Sequence, residues 1–203
     1  MATHFSQINL DALEFAPPKQ NKTGGKNMLI SLAGSPGVLN IKLGDKDTLL
    51  RVAFPPEQSK YNTDNPQKQT MKVELNGDTE QFVRNFETKV VKAGIANKDK
   101  LFKKGMFVPS DDAIKNMFMS KLSESTNPAY PAASFKFTVR TGENATEVLF
   151  APSMDELSKV EPGSLDEIKQ GMFVLPIINP KGELLPPPYP LPSFSHTTAS
   201  VGG

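Results

Sequence analysis

Cysteine and tryptophan are missing from the 203-residue sequence, and histidine occurs only twice. Without a thiol, the chain cannot form disulfides, use a cysteine nucleophile or bind a metal through sulfur. The two histidines, His4 and His196, lie near the chain ends in segments with little predicted structure, where a catalytic or metal site cannot be held in place. We therefore predict a protein that is not an enzyme and that uses no metal and no cofactor.

The sequence also has no large excess of one charge. It contains 23 Lys and Arg residues and 22 Asp and Glu residues, which gives a formal net charge of +1. Proteins that bind nucleic acid through charge alone usually have a much larger basic excess, so the composition allows such binding without requiring it. No window reaches the length of a membrane span, and residues 1–15 lack the basic start and apolar run of a signal peptide. We expect an intracellular protein that is neither secreted nor inserted in a membrane.

Proline and glycine are frequent, with 18 and 14 residues, which favours a fold with many turns over a helix bundle. Leu39, Ile41 and Leu43 alternate with polar residues, as in a strand with one exposed face. The same alternation occurs around Val73 and around Phe137. Strand-like segments are predicted at 27–33, 38–43, 48–54, 71–75, 135–139, 147–150 and 171–185.

Two adjacent segments have the periodicity of helices. The first, residues 79–93, follows Asp78 as the predicted N-cap and stops at Gly94. The second, residues 111–124, follows Ser110 as its predicted cap. The apolar faces of the two helices consist of Phe82, Phe86 and Val90 in the first and Ile114, Met117, Phe118 and Leu122 in the second.

The order of strands, two helices and further strands predicts an α+β fold, in which residues 26–185 form an antiparallel sheet or small barrel with two inserted helices. A sandwich with inserted helices would give the same strand pattern. Residues 1–25 are predicted to form an extended N-terminal arm. Residues 186–203 are rich in Pro, Ser, Thr and Gly and are predicted to form a C-terminal tail.

Two features that resemble chemical sites have simpler explanations. The glycine-rich segments at 24–25 and 34–37 lack the spacing of phosphate-binding loops and fit turns instead. Asp111 and Asp112 are explained by the favourable placement of acidic residues in the first turn of a helix. Neither feature therefore changes the prediction that the protein acts by binding.

A basic cluster follows the first predicted helix, with Phe102 and Phe107 nearby. Basic residues interleaved with aromatic ones are typical of grooves that bind single strands, because ammonium groups contact phosphates and rings stack on bases. A solvated basic face that offsets the helix dipole is the alternative interpretation. The cluster consists of Lys89, Lys92, Lys98, Lys100, Lys103 and Lys104.

A series of short segments, in this order along the chain, resembles a family of uncharacterised proteins from large DNA viruses of algae and protists. That family is similar in its predicted fold to the single-stranded DNA-binding protein of phage T7, an OB-type barrel with an added helix. The resemblance covers about residues 5–185 and implies an OB-like barrel that coats single-stranded DNA during replication or recombination. The segments are 15–25, 50–55, 71–75 before Phe82, and 130–131 leading into 135–139.

The leading hypothesis is therefore a non-catalytic single-stranded DNA-binding protein in the nucleus or cytoplasm of a host cell. Besides the lysine cluster, its predicted contacts are Arg51, Lys136 and Arg140 on strands, with Tyr61 or Tyr130 for stacking. The alternative is a structural or minor virion protein whose arms, residues 1–25 and 186–203, clasp neighbouring subunits of a large assembly.

Overall fold

Strands dominate the computed structural model. The structure describes residues 2–20, 26–35, 37–58, 67–102, 108–126, 132–142, 145–152, 156, 159–184 and 197–201. The helices in these residues are α1 (Gly77–Ala96), α2 (Lys98–Leu101) and α3 (Asp111–Met117), with short 3-10 turns elsewhere. The strands are β1 (Thr3–His4), β2 (Leu13–Phe15), β3 (Lys19–Gln20), β4 (Lys26–Leu32), β5 (Ile41–Lys42), β6 (Leu50–Gln58), β7 (Lys68–Glu74), β8 (Leu122–Ser123), β9 (Ser134–Arg140), β10 (Leu149–Phe150), β11 (Glu161–Pro162), β12 (Phe173–Val174), β13 (Ile177–Leu184) and β14 (Thr197–Val201).

Most strands belong to one sheet, in the hydrogen-bonded order β1-β5-β13-β14-β9-β7-β6-β12. Strand β4 pairs with β13, β2 and β3 pair with β4, β8 pairs with β9, and β10 and β11 form a separate ladder. The ladders are antiparallel except for β1 with β5 and β14 with β9. The predicted α+β class with a mainly antiparallel sheet is confirmed. Within the described ranges the strand path does not close into a barrel.

The hydrophobic core lies between the inner face of the sheet and α1. The alternating apolar residues of β7 and β9 are buried, as their sequences predict, and Thr138 of β9 is buried as well. Phe82, Val83 and Phe86 of α1 pack in the same cluster. The buried side chains that these two strands contribute to the core are Met71, Val73, Phe135, Phe137 and Val139.

Helix α1 begins earlier and ends later than predicted. Its N-cap is Asn76, not Asp78, because the Asn76 side chain accepts hydrogen bonds from the backbone N–H (2.9 Å) and the hydroxyl (2.7 Å) of Thr79. Thr79 is fully buried, so both of its donors need a partner there. Gly94 does not stop the helix but lies buried within it.

The second predicted helix, 111–124, is shorter in the structure. Ser110 caps α3 as predicted, since its hydroxyl accepts a hydrogen bond from the Ala113 N–H at 3.2 Å. The helix nevertheless ends at Met117, and Leu122 continues as part of a strand opposite Phe135. The edge of β9 offers backbone hydrogen bonds to this segment, and that pairing overrides the helical spacing of its apolar residues.

The two predicted arms are partly folded onto the sheet. Phe5 and Ile8 are buried in the core, and the Phe5 ring lies 5.5 Å from that of Phe82 between centroids. Strand β2 pairs with β4, so the described part of residues 1–25 is not an extended arm. At the other end, residues 197–201 of the predicted tail form β14 and pair with β13, whereas its residues 186–196 and 202–203 lie outside the described residues.

None of the helices that the structure describes has the length and apolar character needed to cross a lipid bilayer.

Candidate nucleic-acid interface

The face of the sheet opposite the core carries basic side chains. Because alternate residues of β7 and β9 point into the core, Lys68 and Lys72 of β7 lie on the outer face with Lys136 and Arg140 of β9. The register places Lys68 directly opposite Arg140 and Lys72 directly opposite Lys136. Two pairs of like charges therefore face each other across these strands.

A third lysine and an aromatic ring extend this arrangement. The backbone N–H of Lys136 donates to the carbonyl of Lys121 at 2.9 Å, just before β8, and on the other side Phe54 of β6 lies opposite Lys72. Four residues on four adjacent segments thus lie in one line across the sheet. We name this line the basic row, and its members are Lys121, Lys136, Lys72 and Phe54. With neighbouring strands about 4.8 Å apart, its three lysines span about 10 Å.

Phe54 reaches the outer face because of a β-bulge. Val52 is fully buried opposite Val73, and in a regular strand Phe54, two residues later, would point the same way. The register between β6 and β7 shifts between Val52 and Phe54, which turns Phe54 to the side of Lys72 and leaves it 57% exposed. The Lys72 Nζ lies 5.4 Å from the centroid of the Phe54 ring, within reach of a cation–π interaction.

A second exposed ring, Phe173, lies on β12 at the end of the sheet path next to β6, where it also lines an apolar groove. Phe173 of β12 pairs with Arg51 of β6 and is 65% exposed. Arg51 makes an ion pair with Glu74 at 2.8 Å, so part of its charge is balanced. The outer face therefore combines lysines with two accessible phenyl rings, Phe54 and Phe173.

The electrostatics of the face are clearest at Lys121. Burial lowers the pKa of Lys121 to about 8, and the positive charges of Lys136 and Lys68 lower this pKa further, against an opposing effect of Glu87. A like charge near a lysine disfavours its charged form, whereas a bound anion favours it. Lys121 is thus placed where a phosphate would relieve the repulsion between cations.

The sequence-predicted contacts divide into three groups. Arg51, Lys136 and Arg140 lie on strands, as predicted, and the strand alternation brings them to the outer face. Among the helix lysines, Lys89 pairs with Asp11 and Lys98 pairs with Asp111 at 2.7 Å, so their charges are engaged by acidic neighbours. Two further lysines of the helices, Lys92 and Lys100, are exposed. The third group lies outside the described residues and consists of Lys103, Lys104, Tyr61 and Tyr130.

Sequence reasoning missed five residues of the face. The alternation that places Lys136 outward applies equally to Lys68 and Lys72, so these two could have been found from the strand pattern. Lys121 was assigned to a helix that ends before it. Phe54 depends on a bulge and Phe173 on a distant pairing, and neither has a local sequence signal.

A metal site and an apolar groove are the other kinds of site that bear on function in the described part of the chain. No cluster of three or more His, Asp or Glu side chains there is arranged to hold a metal ion. A groove of about 820 Å³ opens beside the inner face of the sheet, and its lining is mainly apolar, including Phe150, Ile168 and Val174. The lining also includes Lys42, Lys46 and Phe173, but none of the residues of the basic row.

The outer face is a candidate interface on its own geometry, since lysines and exposed rings on one open sheet are the groups that single-stranded nucleic acids require. No protein-family model, no curated protein and no solved structure matches this chain.

Proposed function

We propose that the protein is a non-catalytic single-stranded DNA-binding protein that acts in replication or recombination and that binds the strand on the outer face of its sheet. The basic row carries this proposal, because three neighbouring lysines end at an exposed phenyl ring. Lysines supply contacts to phosphates irrespective of sequence, and an exposed ring supplies a surface on which any base can stack.

The two exposed rings favour a single strand over a duplex. Phe54 and Phe173 can stack only on bases that are not already stacked inside a double helix. The lysines alone would attract either form of nucleic acid, since the duplex and the single strand both present phosphates. The combination of rings and charges therefore supports the narrower assignment.

An OB-like core is part of the proposal. Helix α1 lies between β7 and β9 in sequence, and these strands pair antiparallel with β6 beside them. The segment from β12 to β13 pairs with β6 at its start and with β5 and β4 further on. A segment that pairs with both sides of the sheet in this way supports an OB-like arrangement of these strands, with α1 packed on their inner face.

The test measures binding of a fluorescent oligothymidylate by anisotropy over a range of salt concentrations. The wild-type protein should bind at low salt and lose affinity steeply as salt rises. Lys136→Gln should weaken binding and reduce the slope of log K against log salt by about 0.7, the value for one phosphate contact on a single strand. Lys92→Gln, which removes an exposed charge from α1, is the matched control and should leave the slope unchanged.

Equal losses in Lys136→Gln and Lys92→Gln would show that binding depends on overall charge, and they would contradict the outer face as the interface. Absence of binding at low salt would contradict the function itself. Large species in light scattering would then favour the assembly alternative. That alternative now has less support at the N-terminus, because the described residues there pack on the sheet of their own chain.

A further inference from the structure

Glu87 is a buried acidic residue on the apolar side of α1. Its exposed fraction is 9%, and its neighbours Phe86 and Val90 belong to the hydrophobic core. A carboxylate loses much of its hydration on burial, so such a position is unfavourable unless hydrogen bonds replace the water. The partners of Glu87 therefore indicate why a charge is present among apolar residues.

Both carboxylate oxygens of Glu87 contact the segment that carries Lys121. The backbone N–H of Lys121 donates to Oε1 at 2.7 Å, and the hydroxyl of Ser120 donates to Oε2 at 2.6 Å. On its other side, the carbonyl of Lys121 accepts the N–H of Lys136 at 2.9 Å. The backbone of Lys121 is thus fixed between α1 and β9.

We propose that Glu87 is a positioning residue that holds Lys121 in the basic row for contact with a nucleic-acid phosphate. The inference rests on the proposed function, and it adds a residue that does not itself contact the ligand. The helix–sheet junction contributes to binding in this arrangement, because Lys121 lies just before β8 and depends on α1 for its place.

A double-mutant cycle tests the proposal with the oligothymidylate. Glu87→Met removes both acceptors while keeping an unbranched side chain that suits a helix. We expect Lys121→Met and Glu87→Met each to weaken binding about five- to tenfold, as for loss of one charge-assisted contact. The double variant should bind no more weakly than Lys121→Met alone, because Glu87 acts through Lys121.

The outcomes separate this inference from the proposed function. If wild type binds and Lys121→Met is weakened while Glu87→Met binds normally, the role of Glu87 is wrong and the function stands. Additive losses in the cycle would also overturn the positioning role, since they indicate an effect that does not pass through Lys121. If the wild-type protein does not bind, the proposed function fails as well.

A pH profile keeps the proposal testable if Glu87→Met folds poorly. Glu87→Gln retains an acceptor for the Lys121 N–H but removes the negative charge that raises the pKa of Lys121. The charged groups near Lys121 are then Lys136 on β9 and Lys68 on β7, which both disfavour its protonated form. In Glu87→Gln the affinity should therefore decline at a lower pH than in the wild type, where the decline centres near the pKa of about 8.

Two controls complete the profile. Lys121→Arg should bind well with a flat profile over this range, because a guanidinium stays protonated. Glu14→Gln removes one exposed acidic charge on β2, away from the strands of the outer face, and should leave the profile of the wild type unchanged. An unchanged profile in Glu87→Gln would overturn the inference, since a purely structural role does not move the titration of Lys121.

Discussion

Lys72 and Lys136 lie directly opposite each other on the neighbouring antiparallel strands β7 and β9. Like charges in this position destabilise a sheet, whereas opposite charges in the same position stabilise it. Lys68 and Arg140 form a second pair of this kind, where β7 begins and β9 ends. The repulsion between these paired cations therefore lowers the stability of the free protein, and a bound polyanion would offset it.

Replacing Lys136 with threonine should make the free protein more stable. The change removes the repulsion with Lys72 and introduces a residue that favours strands, so the free energy of unfolding should rise by about 0.5 kcal/mol. Urea denaturation measures it, and the gain should shrink in about 1 M salt, where charges are screened. A loss of stability in Lys136→Thr at low salt would show that the repulsion between these two lysines is negligible.

Phe54→Ala should separate binding from stability. Because the ring is 57% exposed, its loss should change the free energy of unfolding by no more than about 0.5 kcal/mol, but it should weaken oligonucleotide binding by about 1–3 kcal/mol through lost stacking. Leu50→Ala on the same strand is the contrasting control, since Leu50 is buried and its truncation should cost about 3 kcal/mol of stability. Normal binding by Phe54→Ala would remove this ring from the interface.

The burial of Lys121 should make stability depend on pH. Its pKa falls from 10.5 to about 8 in the folded protein, so between these values the unfolded chain binds more protons and stability rises with pH. Lys121→Met should therefore be more stable than the wild type at pH 7, and this difference should narrow as the pH rises through that window. Urea denaturation at both ends of the window measures the difference, and Lys46→Met, at an exposed position, should show no such narrowing.

The cap of α1 can be tested against its sequence-based alternative. Asn76→Ala removes the acceptor of two hydrogen bonds from buried Thr79 and should lower the free energy of unfolding by about 1–2 kcal/mol. Asp78→Ala removes only a favourable first-turn charge and should cost about 0.5 kcal/mol. Thermal denaturation followed by circular dichroism ranks the two variants. The reverse order would restore Asp78 as the cap.

The parts of the fold that the sequence predicts are those that local periodicity determines. The alternation in β7 and β9 identifies strands and their buried faces because each residue's direction follows from its neighbours. The four-residue spacing of Phe82, Phe86 and Val90 likewise identifies α1. Pairing order, by contrast, depends on distant segments, and the sheet path could not be obtained from the order of elements.

The predicted ends of the helices were wrong where tertiary contacts compete with the local preference for helix. The apolar spacing after Ser110 continues to Leu122, yet Leu122 pairs with Phe135 in the sheet and the helix stops at Met117. In the same way, Gly94 is a frequent helix terminator that here continues inside α1. The periodicity of a local sequence carries no information about such distant pairing partners.

Only those residues of the candidate site that lie on locally recognisable strands could be predicted from the sequence. Arg51, Lys136 and Arg140 were chosen for their strands, and their strands do bring them to the outer face. Lys121 joins them only through a backbone contact to Lys136, and Phe54 only through a one-residue shift in register. The run of lysines in the sequence indicated a site at α1 and α2, where Lys89 and Lys98 make ion pairs with acidic neighbours.

The burial of Phe5 against Phe82 has a consequence for how the protein is made. Phe5 emerges from the ribosome before the helix that covers it, because it precedes Phe82 by 77 positions in the chain. During that interval the N-terminal segment exposes apolar side chains without their native partner, which is a condition under which nascent chains recruit chaperones. Translation slowed before α1 should prolong this exposure and reduce the yield of native protein.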